Sequence, residues 1–82
     1  MIQLSLTPRN TPFTRARVEH LVSITSRFES RLMITSAHRM INAKSMLGLL
    51  SLGFVNEDIT IQCDGPDEEE AAKVLKGLLL EE

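Results

Sequence analysis

The hydrophobic period of this 82-residue chain switches repeatedly between two and about 3.6, and that alternation limits its fold more than any other feature. Ile2, Leu4 and Leu6 alternate with Gln3, Ser5 and Thr7, as in a strand with one buried face. Pro8, Asn10 and Pro12 then interrupt the pattern and predict a loop over 8–13. From Thr14 the spacing becomes helical, with Thr14 or the residue beside it as a natural N-cap. Val18, Leu21, Val22, Thr25 and Phe28 share one face, while Arg17, Glu19, His20, Ser23 and Arg27 cover the others.

Arg31 to Thr35 reads as a second strand, Ser36-Ala37-His38 as a turn, and Arg39 to Asn42 as its hairpin partner. Ser45 to Leu52 forms a short apolar helix ended by Gly53, a residue suited to positive φ. Phe54 and Val55 lead into a turn at Asn56-Glu57-Asp58. Ile59, Ile61 and Cys63 mark a fourth strand. Asp64-Gly65-Pro66-Asp67 is a turn, and Glu68, Glu69 and Glu70 place negative charge where a helix dipole favours it. Ala71, Ala72, Val74, Leu75, Leu78 and Leu79 supply the buried side of the last helix, which Gly77 weakens by about 1 kcal/mol relative to alanine.

The order β-α-β-β-α-β-α predicts an α+β open-faced β-sandwich, with a four-stranded antiparallel sheet and three helices on one face. Residues 1–82 have room for one domain and one core. A net charge of -2 gives no electrostatic case for nucleic acid. The charge is uneven, however. Residues 9–44 carry Arg9, Arg15, Arg17, Arg27, Arg31, Arg39 and Lys44 against Glu19 and Glu29, which suits an anionic partner or ligand. The single Cys63 cannot form an internal disulfide, apolar runs are too short to span a membrane, and no signal peptide is recognisable. A cytoplasmic protein without membrane association is expected.

No Gly-rich phosphate loop, Cys/His metal spacing or Gly-x-Ser-x-Gly elbow occurs, so no catalytic residue, metal site or cofactor is expected. His20 lies beside the apolar face of the first helix and reads as a structural or partly exposed side chain. His38 falls in the hairpin turn, where it is solvated. Cys63 points inward and serves as a small hydrophobe. The acids at 67–70 lack a second ligand cluster and are explained by helix-start electrostatics.

The remaining candidate is the nearly uncharged run Asn42-Ala43-Lys44-Ser45-Met46-Leu47-Gly48-Leu49-Leu50-Ser51-Leu52. It resembles the regulatory-serine segment of HPr, the phosphocarrier of the bacterial phosphoenolpyruvate sugar phosphotransferase system. It is similar also to that segment in the catabolite-repression HPr-like protein. The element order fits the HPr fold over the whole chain, as does the turn Asp64-Gly65-Pro66-Asp67-Glu68. The family's second motif, Gly-[Ile/Leu]-His-Ala-Arg-Pro-Ala, holds the carrier histidine at the start of the first helix. Counting back from Ser45 places that histidine on Thr14, with Ala16 and Arg17 at the arginine and proline positions. Sliding by one to match Ala16-Arg17 places it on Arg15.

In either register the histidine is missing. A neutral imidazole is a competent nucleophile near pH 7, and its phosphoramidate has high transfer potential. A threonine hydroxyl lacks comparable nucleophilicity without an adjacent base, and arginine can bind phosphate but cannot carry it. The resemblance therefore implies a regulatory protein without the carrier function. Ser45 would be phosphorylated by the bifunctional HPr kinase/phosphorylase. Met46, Leu47 and Leu50, with Lys44 beside them, would dock the kinase and a transcriptional regulator of carbon catabolite control. Arg15 and Arg17 flank the degenerate carrier position near the Ser45 helix; one could hold a phosphoserine or an acidic partner group, or both are solvated. Three alternatives stand beside this. Ser45 is only an N-cap and its neighbours only core. The domain is an interaction module with neither phosphorylation. Or residual phosphotransfer runs through His20 or Thr14.

Overall fold

A computed structural model describes residues 1–7, 11–36, 39–55 and 57–80. Among the described residues, six strands and three helices follow in the order β1 (Ile2–Leu6), β2 (Thr11–Pro12), α1 (Arg15–Thr25), β3 (Arg31–Ser36), β4 (Arg39–Asn42), α2 (Met46–Leu50), β5 (Phe54–Val55), β6 (Ile59–Asp64) and α3 (Glu68–Leu80). The main sheet has the order β1-β6-β3-β4, with every neighbouring pair antiparallel. β1 and β3 are therefore parallel, separated by β6 and connected through α1, a split β-α-β arrangement.

Register explains the core. Leu4 pairs with Ile61, Ile61 with Ile34, and Ile34 with Ile41, one apolar row across all four strands. Ile2, Cys63 and Leu32 form a second row. Because side chains alternate, the intervening rows face outward: Gln3, Gln62, Met33 and Asn42, then Ser5, Thr60, Thr35 and Met40. From the helices, Val18, Leu21, Leu49, Ala71, Ala72, Leu75 and Leu79 close over the inner face. Cys63 is buried as expected, and burial pushes its thiol pKa up, with the charge of Glu68 adding to it.

The fold class follows the expected open-faced sandwich, with one addition. Thr11–Pro12 and Phe54–Val55 pair as a two-stranded ribbon where a loop and an unassigned lead-in were expected. α2 is also shorter than expected. Ser45 caps it, Ser51 ends it, and Gly53 follows at φ 63. Ser36, expected in a turn, is instead the last residue of β3 and pairs with Arg39. The rest of that expected turn, with its solvated His38, and Asn56 of the turn expected at 56–58 lie outside the described residues.

Gly48 sets the depth at which α2 sits. A Cβ there would fall 2.7 Å from Ile41 Cγ2 and 3.3 Å from Ser45 Oγ. Only a residue without a side chain lets α2 lie this close to β4. That approach brings Leu49 fully into the core and leaves Ser45 at the helix entrance.

Candidate functional site

Ser45 is delivered by two interlocking turns. Asn42 Oδ1 accepts from the N–H of Lys44 at 2.8 Å, an Asx turn, and Asn42 O accepts from the N–H of Ser45 at 2.9 Å. The segment is fixed to the rest of the fold at Ala43, whose N–H donates to Leu32 O at 2.8 Å and whose carbonyl accepts from Thr25 Oγ1 at 3.0 Å. Ser45 then adopts φ -98, ψ 114, and its Oγ accepts from the N–H of Gly48 at 3.1 Å. This is the N-cap expected from the sequence. Ser45 as a residue is half-buried rather than sealed.

The neighbours of Ser45 have different roles. Leu47 is 82% exposed, while Met46 and Leu50 are half-buried and pack against the core. Of the three residues assigned to a docking patch, Leu47 is thus wholly presented and the other two form its shoulders. Lys44 is half-buried, and its Nζ donates to Phe28 O at 2.6 Å, just beyond the end of α1. At the opposite end of α2, Arg39 Nη1 and Nη2 donate to Ser51 O and Ser51 Oγ at 3.0 and 2.6 Å. Two cations therefore pin the flanks of a five-residue helix to backbone carbonyls. Arg39 was not singled out from the sequence, because nothing local relates it to a residue twelve positions on.

The degenerate carrier position lies elsewhere. Thr14 is exposed and caps α1, its Oγ1 accepting from the N–H of Arg17 at 3.3 Å. Beside it, the N–H of Phe13 donates to Gly53 O at 2.6 Å, so the start of α1 meets the residue that follows α2. Ser45, by contrast, sits by the far end of α1, where Thr25 holds Ala43. An 11-residue helix is roughly 16 Å long, so Thr14 and Ser45 belong to opposite ends of the α1–α2 pair. Arg15 Nε donates to Glu19 at 3.0 Å in an exposed i,i+4 pair. Arg17 Nη2 donates to Leu78 O near the end of α3 at 3.3 Å. Both arginines thus lie in the first turn of α1, at the end that meets Gly53, with partners on α1 and α3 rather than beside Ser45. His20 is exposed on α1 and borders a small cavity of about 60 Å³ with Phe13, Arg17, Leu21, Leu78 and Leu79.

Asp67 does more than charge a helix terminus. Its carboxylate accepts from the N–H groups of Glu29 at 2.9 Å and Ser30 at 3.0 Å, and from the Ser30 hydroxyl. The Ser30 hydroxyl first, and then the Glu29 N–H, hold the Asp67 carboxyl below its ordinary value of 3.8. Glu68 is also lowered, chiefly by its hydrogen bond to the Met1 ammonium and then by the Gly65 N–H. For Asp67 the folded pKa lies below the unfolded one, so its stabilisation is complete above about pH 4 and is lost as pH falls through the folded value. The difference in melting temperature between wild type and Asp67→Asn should therefore be constant from neutral pH to about 4 and shrink below it. Thermal unfolding of both proteins across pH 2–7 checks this, and a constant difference at every pH would contradict it.

Comparison with known proteins places this geometry in a family. The PTS-HPr family model, described as the PTS HPr component phosphorylation site, matches residues 15–81. The chain is 43% identical over 61 residues to the phosphocarrier protein HPr of Mycoplasma genitalium, covering 72% of this chain and 69% of that one. It is 31% identical over 81 residues to the HPr of Cupriavidus necator, covering 96% and 91%. Among solved structures, an HPr from Thermoanaerobacter tengcongensis superposes with a TM-score of 0.84 at 28% identity, covering 96% of this chain and 91% of that one. Crh of Bacillus subtilis, a catabolite repression containing protein solved as a dimer with a swapping domain, gives 0.78 at 30% identity, covering 100% and 97%. With the family model spanning most of its length and one relative 31% identical over nearly all of it, the chain belongs to the HPr family of phosphotransferase-system phosphocarriers.

Proposed function

We propose that this HPr-family protein acts in regulation, as the substrate of a serine kinase at Ser45, and not as a histidine phosphocarrier. One observation carries the reading: the eleven-residue serine segment 42–52 is intact, while the carrier position holds Thr14 or Arg15. The likeness to Crh over the whole chain supports it, because that relative is named for catabolite repression.

In the proposed step, Ser45 Oγ bonds to the γ-phosphorus of ATP, the bond to ADP breaks, and the hydroxyl proton passes to a base of the kinase. The ester adds a charge of about -1.5 to -2 beside the exposed Leu47. Partners would then read an anion together with an apolar side chain. The proposed partners are the HPr kinase/phosphorylase and a transcriptional regulator of carbon catabolite control, in the cytoplasm. Lys44, Met46, Leu47 and Leu50 form the proposed contact surface, and Arg15 and Arg17 extend it along α1. The protein itself would be a substrate and adaptor, with no catalytic residue.

Incubation with HPr kinase and ATP should add one phosphate to wild type and none to Ser45→Ala. Alanine also removes the cap, a loss of about 1 kcal/mol, so Ser45→Asn is the cleaner control. Asparagine caps as well as serine but has no hydroxyl. Label retained by the asparagine variant, or absent from wild type under conditions that label ordinary HPr, would contradict the assignment. A second reading, an interaction module without phosphorylation, is favoured by the engagement of Ser45 Oγ with Gly48. The same labelling experiment separates the two.

A further inference from the structure

One peptide unit, joining Phe28 to Glu29, stands between opposite charges. Its carbonyl accepts from Lys44 Nζ at 2.6 Å, and its N–H donates to Asp67 Oδ2 at 2.9 Å. A cation on the oxygen and an anion on the N–H polarise the unit in the same sense, so each bond strengthens the other. The chain of contacts runs from the residue before Ser45, across the end of α1, to the residue before α3. Asp67 also holds Ser30, the last residue before β3, so three elements meet at this unit.

Lys44 precedes Ser45 directly, with Cα atoms about 3.8 Å apart across a trans peptide. Its acceptor in the unmodified protein is a neutral carbonyl. A phosphate dianion on the next residue would offer a full ion pair within reach of the same flexible four-carbon stem. Other cations named above lie farther off and have their own partners: Arg39 holds Ser51 at the opposite end of α2, and Arg15 and Arg17, at the opposite end of α1, donate to Glu19 and Leu78 O.

We propose that Lys44 senses the modification of Ser45: its ammonium leaves the Phe28 carbonyl for the phosphate, and the 28–29 peptide transmits the change to Asp67. The inference rests on Ser45 being the modified residue. It gives Lys44 an internal role before any partner arrives. Phosphorylation would then alter the junction of α1, β3 and α3 as well as the surface around Leu47.

The test installs phosphoserine at position 45 of the full chain by genetic encoding, so that it does not depend on any kinase. Amide NMR spectra and hydrogen exchange are compared for wild type, phosphorylated wild type, Lys44→Met and phosphorylated Lys44→Met. Methionine keeps the apolar stem without the charge. Phosphorylation of wild type should move the Glu29 amide proton upfield and speed its exchange. Lys44→Met should do the same without phosphate, and adding phosphate to that variant should leave Glu29 unmoved. A Glu29 amide indifferent to phosphate in wild type would overturn the proposal, as would equal phosphate responses in both backgrounds. Failure of the kinase to label Ser45 is a separate result, which bears on the proposed function alone.

Discussion

Gly65→Ala is expected to lower the melting temperature by roughly 10–20 °C, the largest loss from so small a change. Gly65 has φ 155, and an added Cβ would lie 2.6 Å from Ser30 Cα and 2.9 Å from Ser30 Cβ. The obstructing atom is backbone, so no rotamer change relieves the contact. Either the turn before α3 or the start of β3 must move. Movement of either one strains the bonds from Glu29 and Ser30 to Asp67, and that from the Gly65 N–H to Glu68 Oε1 at 3.2 Å. Overpacking of this kind costs about 1–3 kcal/mol, and each kcal/mol moves the midpoint of a domain this size by about 4–8 °C. Gly77→Ala provides the contrast. Nothing lies within 4 Å of its added Cβ, and the residue sits inside α3, so the same substitution should stabilise by up to about 1 kcal/mol. Circular-dichroism melts of the two variants should move in opposite directions. Similar melts for Gly65→Ala and wild type would mean that the approach to Ser30 is not tight.

Leu47→Asp should weaken binding to the kinase or regulator by at least about 30-fold while leaving the melting temperature close to that of wild type. A hot-spot side chain at the centre of an interface costs about 2 kcal/mol or more on truncation, which corresponds to that factor, and here a charge is placed in the apolar contact as well. The fold does not need this side chain, since Leu47 is 82% exposed while Leu49 carries α2's contact with the core. An acidic residue in the first turn of a helix is, if anything, favourable to it. Separation of the two readouts is therefore the point of the experiment. Titration calorimetry and thermal melts on one preparation supply both. A variant that binds normally would remove Leu47 from the docking surface, and one that unfolds would return it to a structural role.

Much of the fold was legible because its determinants are local. Alternation at Ile2, Leu4 and Leu6 and at Ile59, Ile61 and Cys63 identified β1 and β6. Thr14 and Ser45 announced the two capped helices, and both caps form as expected. The β2–β5 ribbon was not legible, because two-residue strands carry no period and Pro12 reads as a breaker. Proline is tolerated in an edge ribbon where no further ladder bond is required.

The candidate site was legible as a segment of sequence but not in its wiring. Ser45 and Leu47 were recognisable in their segment, and the structure leaves the latter fully presented. Lys44, read as a partner contact, is held by the Phe28 carbonyl. Asp67, read as helix-start charge, reaches two amides 37 and 38 positions away. Arg39, read only as one of the cations of residues 9–44, is brought by β4 to Ser51. Each is a charged side chain serving a distant backbone group, and such pairings depend on topology rather than on spacing. The two first-helix arginines show the same limit, since only the packing of α1 on α2 reveals that they lie away from Ser45.

A protein that carries a signal and not a transferable phosphate should take none from the phosphoenolpyruvate system. Intact mass after incubation with phosphoenolpyruvate and enzyme I, run beside an ordinary HPr, tests it most directly. The expected result is full acid-labile labelling of the ordinary HPr and an unchanged mass for this protein, because neither Thr14 nor Arg15 supplies an imidazole. One acid-labile phosphate on this chain, at His20, Thr14 or any other residue, would contradict it.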